Sequence, residues 1–235
     1  MNRPITTLFM LMSVDGKIST GANDSMDVDK DFPRIKGLKE GLQQYYDIEK
    51  TTDLFSLISG RVLAKVGANK PQKTIVKLPV RFVVIDNEPH LTATGVDNFI
   101  RKSHTLILAT TNKNHPAFLR KDADNLKILF YKKAIDFEDL FSRLKTEFGA
   151  KRMTIQSGST LNSIFLRNKL IDKISIVVAP ALIGGKDTAS LIGGESLTST
   201  KELSEVKAMK LVAVTKLKNS YIHLNYKVIN ETEIK

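Results

Sequence analysis

An alternation along this chain limits the folds open to it. Short β-branched or apolar runs recur at residues 6–12, 54–59, 81–85, 105–109, 126–130, 153–156, 174–179 and 221–228. Their length and composition predict buried strands. Between several of them the apolar spacing turns helical: Phe137, Leu140, Phe141, Leu144 and Phe148 fall at i, i+3, i+4, i+7 and i+11. Asp136 is placed to cap that helix and Gly149 to stop it. Strands separated by helices need crossover connections, so the chain predicts an α/β fold with a mixed, mostly parallel central sheet flanked by helices. The end of the chain departs from this. Residues 211–217 and 221–228 are joined only by Lys218-Asn219-Ser220, which predicts a hairpin and antiparallel strands at the C-terminal end. No repeat and no linker-like stretch interrupts the 235 residues, so a single domain over 1–235 is expected.

Composition removes whole classes of chemistry. With no cysteine, disulfides, thiolate metal sites and cysteine nucleophiles are excluded together. The four histidines, His90, His104, His115 and His223, never stand at the i, i+4 spacing of helical metal ligands, and no metal is expected. The N-terminal apolar stretch is too short for a signal h-region or a membrane span, which predicts a cytoplasmic protein without membrane partners. The net charge of +11 comes from lysines and arginines scattered along the chain. Without a basic block or interleaved aromatics, it reads as a solubilising surface rather than a nucleic-acid footprint.

Open sheets of this class bind ligands beyond the carboxyl ends of their parallel strands. After the first strand stand Met12, Ser13, Val14, Asp15, Gly16 and Lys17, offering a hydroxyl, a carboxylate and an ammonium in one turn. After the second, Gly60 and Arg61 open a helix with backbone N–H groups and a guanidinium, a combination suited to phosphate. Thr110 and Thr111 follow the fourth. Gln156-Ser157-Gly158-Ser159-Thr160-Leu161-Asn162 runs from a strand through a small-residue turn into an apolar helix whose N-terminus favours a pyrophosphate. Ala179-Pro180 and Ile183-Gly184-Gly185 form a glycine-rich exit from the seventh. Each of these stretches is also ordinary turn or capping chemistry.

In order and spacing these stretches, with Arg3-Pro4 and Leu170-Ile171-Asp172-Lys173, resemble the reductase family of riboflavin biosynthesis, whose fold is that of dihydrofolate reductase. The resemblance spans nearly the whole chain. It implies NADPH as hydride donor and reduction of the ribosyl group of a ribosylaminopyrimidine 5′-phosphate to ribityl. Carried over by position, it places Met12, Ser157, Gly158, Ser159, Thr160, Leu161 and Asn162 on the cofactor, with Gly60, Arg61, Thr110 and Thr111 at its adenosine-phosphate side. Ser13, Ser25, Arg34 and Gln156 would meet a small phosphorylated substrate. Asp15 or Lys17 would donate a proton or stabilise charge, and relatives of this kind are commonly homodimers.

Four positions depart from the family pattern: Phe9 stands where bifunctional relatives carry a lysine, Leu63 ends a Gly-Arg-x-Thr motif, Gln156 replaces a glutamate and Ser157 a glycine. The zinc motif of the fused deaminase needs cysteines, so a stand-alone reductase is expected. Two other readings stand beside this one. A reductase of the same fold could act on a pterin or another small carbonyl or imine, and a basic nucleic-acid-binding protein would account for the charge alone.

Overall fold

The computed structural model describes residues 2–234. Nine strands run in chain order: β1 (Ile5–Ser13), β2 (Phe55–Ser59), β3 (Arg81–Ile85), β4 (Thr105–Thr110), β5 (Leu126–Phe130), β6 (Arg152–Ile155), β7 (Lys173–Ala179), β8 (Ala208–Lys216) and β9 (Ile222–Ile229). Six helices lie among them: α1 (Val28–Asp31), α2 (Lys39–Glu49), α3 (Gly60–Lys65), α4 (Ala93–Lys102), α5 (Phe137–Thr146) and α6 (Ser159–Arg167). The chain divides into two compact units, each assembled from separate stretches. The first holds Met1–Pro4 and Asp53–Ser157; the second holds Ile5–Thr52 and Gly158–Lys235.

The first unit contains the parallel strands β2 to β6, in the order β5-β4-β3-β2-β6. Every neighbour is parallel because a helix or long connection intervenes between successive strands. Its helices start where the sequence supplies an acceptor. Ser59 caps α3, Thr92 caps α4, and Asp136 caps α5 by accepting from the N–H groups of Glu138 and Asp139. Gly149 takes φ +72° beyond α5, as the expected stop requires. One core cluster joins Leu63, Val84, Val96, Phe99, Leu106, Leu108 and Leu126. Leu63 is therefore a core residue, which gives the departure at that position a packing reason.

The second unit carries β1-β7-β9-β8. β1 and β7 are parallel, while β7–β9 and β9–β8 are antiparallel. This is the expected C-terminal hairpin, with Asn219 and Ser220 at positive φ in its turn. The Leu170–Lys173 link holds the starts of β1 and β7 together: Thr6 Oγ1 donates to Leu170 O at 2.5 Å and Thr6 N to Asp172 Oδ2 at 2.8 Å. The core joins Phe9, Leu11, Phe32, Leu42, Tyr45, Val177 and Tyr221. Phe9 is fully buried and stacks on Tyr45 at 5.0 Å between ring centroids. An ammonium at that position would face an aromatic core, so the second departure is also explained by packing.

Candidate functional site

In the second unit the two motifs that flank β1 and β7 lock together. Ser13 ends β1 fully buried. Its Oγ donates to Asp15 Oδ1 at 2.6 Å and accepts from Lys17 N at 2.9 Å. Gly16 closes the turn at φ +78°, a conformation that glycine adopts without strain. The Asp15 carboxylate then reaches the exit of β7, accepting from Ile183 N at 3.1 Å and Gly184 N at 2.6 Å. Lys17 Nζ donates to Gly185 O at 2.8 Å and Thr188 O at 3.0 Å. An anion and a cation thus hold opposite sides of one glycine turn. The Ser13 hydroxyl and the Gly184 N–H hold the Asp15 carboxyl down to about 2, so it is an anion at neutral pH and not a proton donor.

Leu191 extends this arrangement to α6. Its N–H donates to Gly16 O at 2.9 Å, and its carbonyl accepts from Asn162 Nδ2 at 2.8 Å. Gly193 N donates to Ser159 O at 3.1 Å, and a Cβ on Gly193 would collide with Ser159 Oγ. Asp15, Lys17 and the start of α6 therefore belong to one hydrogen-bonded assembly. The N-cap of α6 is Gly158, which brings no capping side chain, and the first-turn N–H groups of a helix have no intrahelical acceptor. Such an end suits a phosphate. Asn162 is completely buried, so it positions the helix. Thr160 is exposed and Leu161 half-buried.

The remaining second-unit residues are less concentrated. Met12 is half-buried near the end of β1, paired with Val178. Ser25 is exposed in the loop before α1, where its N–H and Oγ both donate to Asn23 Oδ1. Arg34 is exposed at the end of a short 3-10 helix, Phe32–Arg34. No hydrogen bond joins Ser25 or Arg34 to Asp15, Lys17 or α6.

In the first unit the ends of three adjacent strands meet on a residue outside the sequence-predicted site. Asp86 directly follows β3, and its side chain is fully buried. Oδ1 accepts from His90 N at 3.1 Å and His90 Nδ1 at 2.9 Å; Oδ2 accepts from Leu91 N at 2.9 Å and His115 Nε2 at 3.0 Å. Gly60, after β2, abuts the same carboxylate: a Cβ there would lie 2.5 Å from each oxygen. Thr110, at the end of β4, is fully buried and donates to Asp86 O at 2.7 Å while accepting from Asn112 N at 3.0 Å. Its hydroxyl is spent within the fold, so Thr110 shapes the edge rather than offering a donor. Thr111 N donates to Asn87 Oδ1 at 3.0 Å, and Arg61 is exposed on α3. Gln156 Oε1 accepts from Ser56 Oγ at 3.3 Å, and Ser157 is buried. Asp86 and His90 were legible in principle, because the strand-end rule applied to β3 leads directly to Asp86-Asn87-Glu88-Pro89-His90, whereas His115, 29 positions away, joins them only in the fold.

Comparison with known proteins shows the family of the chain. Residues 4–223 match the model of the RibD C-terminal domain. The chain belongs to that family. It is 27% identical over 209 residues to the 2,5-diamino-6-ribosylamino-4(3H)-pyrimidinone 5′-phosphate reductase of Methanothermobacter thermautotrophicus, covering 83% of this chain and 86% of that protein. It is 26% identical over 231 residues to the riboflavin biosynthesis protein RibD of Actinobacillus pleuropneumoniae, covering 97% of this chain and 58% of the relative. Among solved structures, RibD of Acinetobacter baumannii superposes with a TM-score of 0.67 at 16% identity over 97% of this chain and 58% of that one. That structural likeness supports the fold of this RibD-family chain, and the sequence match supports its family.

Proposed function

We propose that this chain is an NADPH-dependent reductase that converts the ribosyl group of a ribosylaminopyrimidine 5′-phosphate to ribityl, working in the cytoplasm as one reductase domain over 1–235. The observation that carries the reading is the assembly of Asp15, Lys17 and the start of α6 through Leu191, in a chain whose family includes reductases named for that substrate. By the family resemblance, Gly158 to Asn162, an uncapped helix start, are assigned to the pyrophosphate, and Gly60, Arg61 and Thr111 to the adenosine side. Bound NADPH supplies the hydride. The chain has to align two molecules, exclude water and manage charge.

Within that task Asp15 and Lys17 take different roles. Asp15 stays ionised and balances positive charge on the substrate nitrogen. Lys17 spends two ammonium donors on Gly185 and Thr188, which leaves a third for the substrate. It is the better proton donor of the pair. Ser13 and Asp15 hold the turn that aims it; Ser25, Arg34 and Gln156 are assigned to the substrate and its phosphate. Purified protein incubated with NADPH and either the ribosylaminopyrimidine phosphate or a pterin tests the substrate. Turnover confined to the former supports the assignment, and turnover of the pterin alone rejects it.

The chain is further proposed to act as a homodimer. β8 is an edge strand exposed along its whole length, and it displays Met209, Leu211, Val212 and Val214 at 45, 50, 68 and 57% exposure. Edge strands are usually short, charged or covered, and exposed apolar side chains on an uncovered edge suit an interaction surface. A second copy supplies a matching strip by symmetry.

A further inference from the structure

The buried Asp86 cluster has a charge balance that the proposed reaction leaves unused. Four donors saturate the carboxylate, two of them backbone N–H groups. Burial alone would push its pKa up, but hydrogen bonds from His115, Leu91 N and His90 more than offset that and hold it below the usual carboxylate range. Asp86 is therefore a buried anion, and a buried anion needs a counter-charge.

His115 cannot provide one at no cost. Its Nδ1 accepts from Ala117 N at 3.1 Å, so Nε2 carries the only ring proton and donates to Asp86. A second proton on His115 would break the Ala117 bond. His90 is built the other way. Its N–H and Nδ1 both face Asp86 Oδ1, and its carbonyl accepts from Asn69 Nδ2 at 2.8 Å. A Cβ on Gly95 would collide with Asn69 Oδ1, so Asn69 is itself fixed in place. Among the described residues no hydrogen bond reaches Nε2 of His90, and the side chain is 33% exposed. Of the groups bonded to Asp86, His90 alone can gain a proton without losing a partner.

The ligand class follows from that arrangement. With Nδ1–H on Asp86, a His90 imidazolium would offer Nε2–H as a charged donor to a ligand at the end of β3. That donor suits a dianionic phosphate monoester better than a neutral hydroxyl. We propose that His90, oriented by Asp86, is the residue with which this chain selects a 2′-phosphorylated dinucleotide over its unphosphorylated counterpart. Asp86 and His115 act as positioning residues behind it, in the manner of a carboxylate behind a metal-ligating histidine. The inference rests on the reading of Gly60, Arg61 and Thr111 as the adenosine side of a cofactor site.

The test compares wild type with His90→Gln, which keeps a neutral donor in place of the imidazole. Dissociation constants are measured for NADPH, NADH, 2′-AMP and 5′-AMP by calorimetry. A lost charge-assisted hydrogen bond predicts that NADPH and 2′-AMP bind about 10- to 100-fold more weakly to the variant, with NADH and 5′-AMP unchanged within about twofold. Equal loss for all four ligands, or no loss for any, overturns the proposal. If 5′-AMP weakens and 2′-AMP does not, His90 serves a 5′-phosphate and the selection role is wrong. Should wild type bind neither dinucleotide, the cofactor reading fails along with the inference. Tight NADPH binding by an indifferent variant removes the inference alone. Nitrogen NMR of wild type guards against a misfolded variant: 2′-AMP must shift the Nε2 resonance of His90, and a static resonance at saturating ligand rejects the contact.

Discussion

Gly60→Ala probes the meeting of strand ends in the first unit. Gly60 opens α3 with ordinary backbone angles, so the substitution introduces no left-handed strain; what it lacks is space. The added methyl would sit 2.5 Å from both Asp86 oxygens and closer still to the carbon between them. Asp86 cannot swing aside, because it accepts from His90 N, His90 Nδ1, Leu91 N and His115 Nε2. Each such bond to a charged group is worth about 1.5–3 kcal/mol, more than a backbone displacement costs, so the start of α3 must move. Overpacking of this kind costs about 1–3 kcal/mol, and some loosening of Asp86 brings the expected total to roughly 2–4 kcal/mol. For a chain of this size that lowers the unfolding midpoint by roughly 5–15 °C. Gly149→Ala is the control, because φ there is +72° and nothing lies within 4 Å of the new methyl. It carries only left-handed strain, about 1–2 kcal/mol. Thermal unfolding followed by circular dichroism measures both. A Gly60→Ala midpoint within about 2 °C of wild type, or above that of Gly149→Ala, refutes the packing argument.

Three further outcomes are expected. Phe9→Ala removes a fully buried ring stacked on Tyr45 and costs about 3–5 kcal/mol by urea denaturation; a loss below about 1 kcal/mol means that this position is not core. Burial, opposed by the Tyr46 hydroxyl and aided by Asp27, pushes the Asp29 carboxyl up from 3.8 to about 6. The folded state then holds that proton more tightly than the unfolded state, so stability from this group is full below about pH 4 and declines as pH rises through 6. Asp29→Asn should flatten that decline and gain on the order of 2 kcal/mol at neutral pH, whereas an unchanged pH–stability profile contradicts the burial. Val212→Glu, placed on the exposed apolar strip of β8, should convert the dimer to monomer in sedimentation velocity. A wild type that sediments as a monomer at every concentration removes the dimer assignment.

The strands and the hairpin were readable because period and turn chemistry are local. The run at 81–85 coincides with β3, and Asp136 and Gly149 flank α5 as capping rules require. Asp15 and Lys17 were readable as polar groups at a strand end, but not as the two clamps of the Gly184-Gly185 turn, since their partners lie about 170 residues away in the chain. Thr110 shows the opposite limit. A threonine after a strand reads as an available hydroxyl, yet the meeting of β3 and β4 turns it inward to Asp86 O. The Asp86 cluster joins residues separated by 4 and 29 positions, with no shared motif to announce it. β8 misleads in another way, because its apolar residues suggest burial and the fold leaves them on an edge.

Hydride transfer to the sugar is open to test by isotope transfer. NADPH deuterated at C4 of the nicotinamide, on either face in turn, is incubated with the protein and the ribosylaminopyrimidine 5′-phosphate, and the product is analysed by mass spectrometry. Hydride transfer predicts a ribityl product that carries deuterium at C1′ from one of the two labelled cofactors. A product without label from either, or no product while NADPH is demonstrably bound, contradicts it.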